Sequence, residues 1–305
     1  MDALRAVIDV GTNSIKFHVA RKRPDGSLEP VLDKNDIARL GEGLRETGKI
    51  APEPLERNAS SVAAFVAEAR ALGVPAPEIV GTMALRTASN ASDFAARVKE
   101  LTGLDLRVIS GEEEARLSYL AVLSGLPVGK GELVTFDTGG GSTEFVYGKG
   151  AEMLRKFSVP LGAVRITEEF FGDDPVREGA VEKAFREIRR SLEEGGVTGS
   201  PDVLVGMGGT VTSLASVKHG MEVYDPDVVQ GSELTLEEIR EMISRFASMT
   251  LEERRGIVGL QPKRADVILA GTCIVCALLE IFKASSFTVS DRGLRHGLAY
   301  ELFSS

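Results

Sequence analysis

The chain has 305 residues, 43% of them hydrophobic and 27% charged, which is ordinary for a folded protein of two modest domains and excludes a disordered polymer. Its formal net charge is −9, it has no tryptophan, and only 6% of its residues are aromatic. That balance argues against a general nucleic-acid surface, which is basic and stacks bases on aromatic rings.

A strand is expected at Leu4–Val10, so close to the N-terminus that no room for a signal peptide is left. It forms a hairpin with residues 15–20 around Gly11-Thr12-Asn13-Ser14. Arg23-Pro24-Asp25-Gly26 signals a turn, 28–32 a third strand, and 41–48 a flexible glycine-rich stretch. Leu55, Ala59, Val62, Phe65, Val66 and Ala69 recur at helical spacing within 52–72. A strand at 78–82, a helix at 93–101 and a strand at 104–109 follow. Ser110 then N-caps a helix whose first turn carries Glu112, Glu113 and Glu114. Leu126-Pro127-Val128-Gly129-Lys130-Gly131 is the best domain boundary.

The second half repeats the plan, with a hairpin over 133–148, a strand at 153–158 and helices at 163–171 and 176–194. A strand at Val203–Met207 runs into Gly208-Gly209-Thr210, where a helix N-terminus can face an anion. Helices at Leu236–Ala247 and 265–282, a strand at 286–289 and a helix ending at Phe303 complete the chain. Cys273 and Cys276 stand in an apolar stretch with no second pair, so buried helical thiols in a reducing cytoplasm are expected. The uncharged run 267–279 is too short for a bilayer, so no membrane partner is expected. His18, His219 and His296 show no metal-ligand spacing.

The chemistry concentrates in Asp137-Thr138-Gly139-Gly140-Gly141-Ser142-Thr143-Glu144, which reads as strand, tight turn and returning strand. Glycines let backbone amides approach an anion, and Ser142 and Thr143 add hydroxyl donors. Asp137 and Glu144 repel a phosphate unless a divalent cation stands between, so a loop for metal-bound phosphate competes with a plain glycine-rich hairpin. The same device stands near the N-terminus. Aligning Asp9 with Asp137 brings Gly11 onto Gly139, Ser14 onto Ser142 and Phe17 onto Phe145. Both copies read D-x-G-x-x-S-x-x-F, the mark of a duplicated unit, and Asp9 joins the candidate metal ligands.

Several stretches, in order, carry a resemblance. They are Ile8-Asp9-Val10-Gly11-Thr12-Asn13-Ser14, residues 82–90, Val108-Ile109-Ser110-Gly111-Glu112-Glu113-Glu114-Ala115-Arg116, residues 137–144, Gly162-Ala163-Val164-Arg165-Ile166-Thr167-Glu168, Gly208-Gly209-Thr210, Pro262-Lys263-Arg264-Ala265-Asp266 and Ser290-Asp291-Arg292-Gly293-Leu294-Arg295. The chain resembles the exopolyphosphatase/guanosine pentaphosphate phosphatase family, in its short two-domain form. The resemblance implies an α/β fold of two actin-like (ribonuclease H-like) βββαβαβα domains flanking a cleft. Domain I would be 1–125 with about 290–305, and domain II 126–289.

It further implies a Mg²⁺-dependent (or other divalent-dependent) hydrolase acting on polyphosphate or guanosine pentaphosphate, and a homodimer. Glu114 takes the family's general-base position; read alone, Glu112 to Glu114 reads as a solvated helix start. Phosphate ligands would be Gly11, Thr12, Asn13, Ser14, Lys16, Gly139, Gly140, Gly141, Ser142, Thr143, Gly208, Gly209 and Thr210. Asp137, Glu144 and Asp9 would hold the metal. Arg86 could bind phosphate or staple Asp93, and Arg165, Arg292 and Arg295 could be structural ion pairs. Thr12, Lys16 and Met83 stand where the family usually has Ser, Arg and Ser. Lysine keeps the charge and loses the bidentate fork. A small-molecule kinase and a sensor without turnover are the competing functions.

Overall fold

The computed structural model describes residues 4–12, 14–24 and 28–304, with the backbone alone at Arg45. Asn13, expected among the phosphate ligands, and Asp25 and Gly26 of the expected turn lie outside the described residues. The chain divides into two units, Met1–Ser124 with Leu294–Ser305, and Gly125–Gly293.

In the first unit β1 (Leu4–Val10) and β2 (Ile15–Lys22) are antiparallel, as are β2 and β3 (Leu28–Asp36). β4 (Glu78–Gly81) and β5 (Arg107–Val108) add in parallel, giving the order β3-β2-β1-β4-β5. Alternation along β1 and β2 serves two cores. Ile8, Val10, Phe17 and Val19 meet Ala59, Val62 and Val66 of the helix Pro52–Ala71 and Phe94 and Val98 of the helix Ala91–Thr102. Val7, Ala20 and Val80 meet Leu117, Leu294, Leu298 and Ala299 on the other face. Each large side chain among them contributes about 1.5–3 kcal/mol when taken out of water.

That second face returns the C-terminal helix Leu294–Ser304 to the first unit. The helix crosses Gly111–Gly125 at Gly297, where a Cβ would fall on the Leu117 carbonyl. Arg116 and Glu301, 2.5 Å apart, pair across the same crossing.

The second unit repeats the plan with β6 (Glu132–Thr138), β7 (Thr143–Lys149), β8 (Glu152–Val159), β9 (Val203–Met207), β10 (Glu233–Thr235) and β11 (Ser286–Ser290). The order is β10-β11-β9-β6-β7-β8. Without the edge strand β10, strand order and direction match the first unit. Gly206 in β9 leaves the space in which Phe136 and Phe287 meet edge to face, 5.4 Å between centroids. All of the helix Ile268–Phe282 except Glu280 and Ile281 is buried. Cys273 and Cys276 lie free within it, and burial pushes both thiols upward, Cys276 to about 11. Among the described residues no helix is long and apolar enough to cross a membrane.

Several elements depart from the sequence reading. The third strand runs further, to Asp36. The stretch expected to be flexible holds a short helix, Leu44–Thr47, between left-handed Gly43 and Gly48. Buried Leu40 and Leu44 anchor that stretch, which is why it is ordered. The strand expected at 104–109 shrinks to Arg107–Val108. The helix expected from 176 starts at Ala180, after left-handed Gly179.

Gly297 yields a sign test. Helix propensity alone makes Gly297→Ala stabilising by about 1 kcal/mol. The Leu117 carbonyl makes it destabilising, by about 1–3 kcal/mol of overpacking. We expect a lower thermal midpoint for Gly297→Ala; a raised midpoint would show that the crossing does not depend on that glycine.

Candidate active site

In the first unit the hairpin closes where the Gly11 amide donates to the Ser14 carbonyl at 3.0 Å. A Cβ on Gly11 would stand 2.9 Å from that oxygen, so glycine is needed for clearance. The register sets Lys16 directly opposite Asp9. The loop is braced from outside, since the Gly41 amide donates to the Thr12 carbonyl at 2.8 Å. Asp9 is 6% exposed, and its Oδ1 has no hydrogen-bond partner among the described residues. Burial drives its pKa upward; the charges of Lys16 and Arg295 oppose the rise and Glu114 adds to it.

The helix Gly111–Gly125 separates its three leading acids. Ser110 Oγ accepts from the Glu113 amide at 3.0 Å, the expected N-cap. Glu112 is exposed, and Glu113 pairs with Arg107 at 2.5 Å. Glu114 pairs with Arg86 at 2.8 Å and keeps 35% of its side chain exposed. Arg86 also donates to the Ile109 carbonyl at 3.0 Å, so it is fixed between the strand end and the acid. Arg86 therefore holds Glu114 rather than stapling Asp93.

The second unit closes the same turn, with the Gly139 amide donating to the Ser142 carbonyl at 2.9 Å. Asp137 faces Glu144 across it. Where the first hairpin opposes acid and lysine, the second opposes acid and acid. Ser142 and Ser158 donate to Glu144 Oε1 at 2.5 and 3.0 Å. The Gly139 and Gly140 carbonyls each accept at 2.9 Å, from the Ala163 and Val164 amides at the start of the helix Ala163–Phe170. Gly162 allows that approach, because a Cβ there would fall on the Gly140 backbone.

The helix Gly208–Lys218 begins directly after β9, with no side-chain cap. A Cβ on Gly208, which is left-handed at φ +80°, would fall on the Asp137 carboxylate. The acid pair and the helix start are thus one assembly.

Several expected phosphate donors are committed elsewhere. Thr143 is fully buried and donates to the Leu161 carbonyl at 2.7 Å. Thr210 donates to the Thr138 carbonyl at 3.0 Å. The amides of Gly11 and Gly139 close their own turns. Gly141 faces open space. Arg165 donates to the Pro160 carbonyl and to Glu187, the latter at 3.1 Å, and Arg295 donates to Asp33 at 2.9 Å, so both make structural ties.

Arg264, part of the stretch Pro262-Lys263-Arg264-Ala265-Asp266 that carries the resemblance, joins the site although it is not among the expected phosphate ligands. A Cβ on Gly209 would fall on the Arg264 guanidinium, which therefore lies over the start of the Gly208–Lys218 helix. No hydrogen bond or ion pair ties that guanidinium among the described residues. Two adjacent glycines at a helix start are a second hint, since the latter leaves room for a side chain from elsewhere.

Each unit offers donors that suit a hard divalent cation, which takes oxygen ligands and keeps waters. The second unit has the opposed acids Asp137 and Glu144, and the first has an Asp9 oxygen buried without a hydrogen-bond partner.

The Ppx/GppA phosphatase family model matches residues 18–305. The chain is 31% identical to exopolyphosphatase 2 of Mycobacterium tuberculosis over 97% of this chain and 98% of that one. It is also 31% identical to a bifunctional 3-dehydroquinate synthase/phosphatase of Fusobacterium nucleatum, spanning 94% of this chain and only 45% of that protein's length. Its structure superposes on a crystal structure of the Aquifex aeolicus Ppx/GppA family member with a TM-score of 0.91 and 36% identity, covering 100% of this chain and 99% of the other. A crystal structure of an exopolyphosphatase from Cytophaga hutchinsonii superposes at TM-score 0.81 and 26% identity, with 99% and 98% covered.

The buried Asp9 sets a pH signature. A carboxyl raised in the folded state holds its proton where the unfolded chain has released it, so stability falls as pH rises from about 3.8 through the folded value. In chelator at neutral pH, Asp9→Asn should therefore melt higher than the parent. Its melting curve should also lack the parent's loss of stability across that window. A lower midpoint for Asp9→Asn under those conditions would contradict the burial argument.

Proposed function

Because the chain belongs to the Ppx/GppA phosphatase family, we propose that it hydrolyses the terminal phosphoanhydride bond of inorganic polyphosphate, of guanosine pentaphosphate, or of both. The observation that carries this reading is the duplicated hairpin with its unlike partners, Asp9 opposite Lys16 and Asp137 opposite Glu144. One hairpin presents a cation to phosphate. The other presents two acids, which tolerate phosphate only through a metal ion.

The roles follow from the chemistry. Glu114 accepts a proton from the attacking water, which forms a bond to the terminal phosphorus as the anhydride P–O bond breaks. The shortened chain departs with the bridging oxygen. Arg86 orients the Glu114 carboxylate through their 2.8 Å ion pair. Lys16, Ser14 and the remaining amides of the two loops, that of Ser142 among them, bind phosphate oxygens, the Ser142 hydroxyl being given to Glu144. Arg264 joins them at the helix start, where backbone amides and a guanidinium both favour an anion. Asp137, Glu144 and Asp9 would hold Mg²⁺, mostly through water, and the ion would neutralise charge on the phosphoryl oxygens. Buried, unoxidised thiols suit a cytoplasmic protein, and a homodimer is the assembly we expect.

The test is phosphate release from both substrates with Mg²⁺ and no acceptor. A kinase would need an acceptor, and a sensor would release none. Glu114→Gln should lower kcat by roughly 10²–10⁴ with KM little changed. Near-parental turnover in that variant would remove Glu114 from the base role.

Arg264 separates binding from packing. Arg264→Gln should raise KM for the phosphorylated substrate by roughly tenfold, as expected for one lost charge-assisted contact. Unchanged KM and kcat would leave the guanidinium as packing for Gly209.

A further inference from the structure

Two of the three histidines, far apart in sequence, converge in the first unit. His18 lies on β2, Asp33 on β3, and His296 on the C-terminal helix. His296 Nε2 is 2.9 Å from Asp33 Oδ2, and His18 Nδ1 is 3.2 Å from the same oxygen. The two rings are tilted together, 4.4 Å between centroids. Their side chains are 12% and 4% exposed, and that of Asp33 is 29% exposed.

Hydrogen bonding does not account for the whole cluster. His18 Nδ1 is buried and, despite its closeness to Asp33, makes no aligned hydrogen bond among the described residues. A ring nitrogen that is nine-tenths buried, makes no aligned hydrogen bond and stands beside a carboxylate oxygen shared with a second imidazole is placed to ligate a cation. One atom from each of the three residues lies within 4.8 Å of the other two. Tetrahedral ligands at bond lengths of about 2.0–2.1 Å stand roughly 3.3 Å apart, close to the two separations made by Asp33 Oδ2.

We propose that His18, Asp33 and His296 bind a first-row transition cation of the Zn²⁺ type, at a site separate from the acids that take Mg²⁺. Two imidazoles and one carboxylate are the donors such an ion prefers, and they are poor donors for Mg²⁺. The exposed side of Asp33 leaves the fourth position to water. Arg295 Nε donates to Asp33 Oδ1 at 2.9 Å and to Oδ2 at 3.2 Å, which fixes the carboxylate plane. Its positive charge opposes the ion, so binding is weaker than in a closed structural zinc site.

The chain's three histidines make the test direct. His219 lies in the second unit, 3.0 Å from Ser232 Oγ, and serves as an internal control. The full chain, labelled with ¹⁵N in its histidine rings and held in excess Mg²⁺ to fill oxygen sites, is titrated with Zn²⁺. The imidazole signals of His18 and His296 should move together and stop at one equivalent, while that of His219, identified with a His219→Gln variant, stays in place. Movement of no ring, of one ring, or of all three together would overturn the proposal. Co²⁺ should give the visible absorption of a four-coordinate nitrogen–oxygen site. His296→Gln should weaken Zn²⁺ binding by roughly tenfold or more. A Co²⁺ band that survives in His296→Gln would assign the ion elsewhere and refute the site.

Discussion

One small backbone contact, made twice, underlies the arrangement: a glycine amide closing on a serine carbonyl three residues later, at 3.0 Å in the first unit and 2.9 Å in the second. It keeps each hairpin short, and a short turn fixes register. With register fixed, the acid near the end of each leading strand has one possible neighbour across its hairpin, Lys16 for Asp9 and Glu144 for Asp137. A slip of one residue would turn either acid to the opposite sheet face. The duplicated backbone thus carries two different charge patterns, balanced in the first hairpin and doubly negative in the second.

Asp9 shows what this placement costs. Its neighbours on the same sheet face include Val7, Ala20 and Val80, an apolar layer in which a carboxylate is poorly solvated. Lys16 and Arg295 offset part of the penalty through charge, yet one oxygen keeps no hydrogen-bond partner among the described residues. A position selected for stability alone would be apolar. A buried acid left short of partners is the kind of local inconsistency expected where a group is kept for binding.

Much of this is legible in the sequence. The D-x-G-x-x-S-x-x-F repeat locates both hairpins and aligns their acids, because a strand–turn–strand motif is local and its spacing survives folding. Thr235 and Glu238, and Thr250 and Glu253, form capping boxes, each a T-x-x-E visible in the chain. The first precedes a helix that periodicity also reveals. The second precedes Leu251–Arg255, which is too short to show a period and so escapes a reading by pattern. Hydroxyls mislead in the other direction. Nothing in the sequence says that Thr143 and Thr210 are committed to the carbonyls of Leu161 and Thr138. Arg264 over Gly209, and His296 beside His18, depend on contacts between distant segments, which no spacing rule reaches.

The C-terminal helix joins these separate features. Its packing at Gly297 fixes where Arg295 and His296 stand, and Arg295 acts on two acids at once. It donates to Asp33 and lowers the pKa of Asp9 through space. Burial would raise the Asp33 carboxyl, but the contacts of His18 and His296 and the charge of Arg295 outweigh it and hold it well below the usual range. The Arg295 side chain is only 13% exposed, so solvent screens its charge weakly. The C-terminal helix thus sets the charge environment of both acids through a single guanidinium.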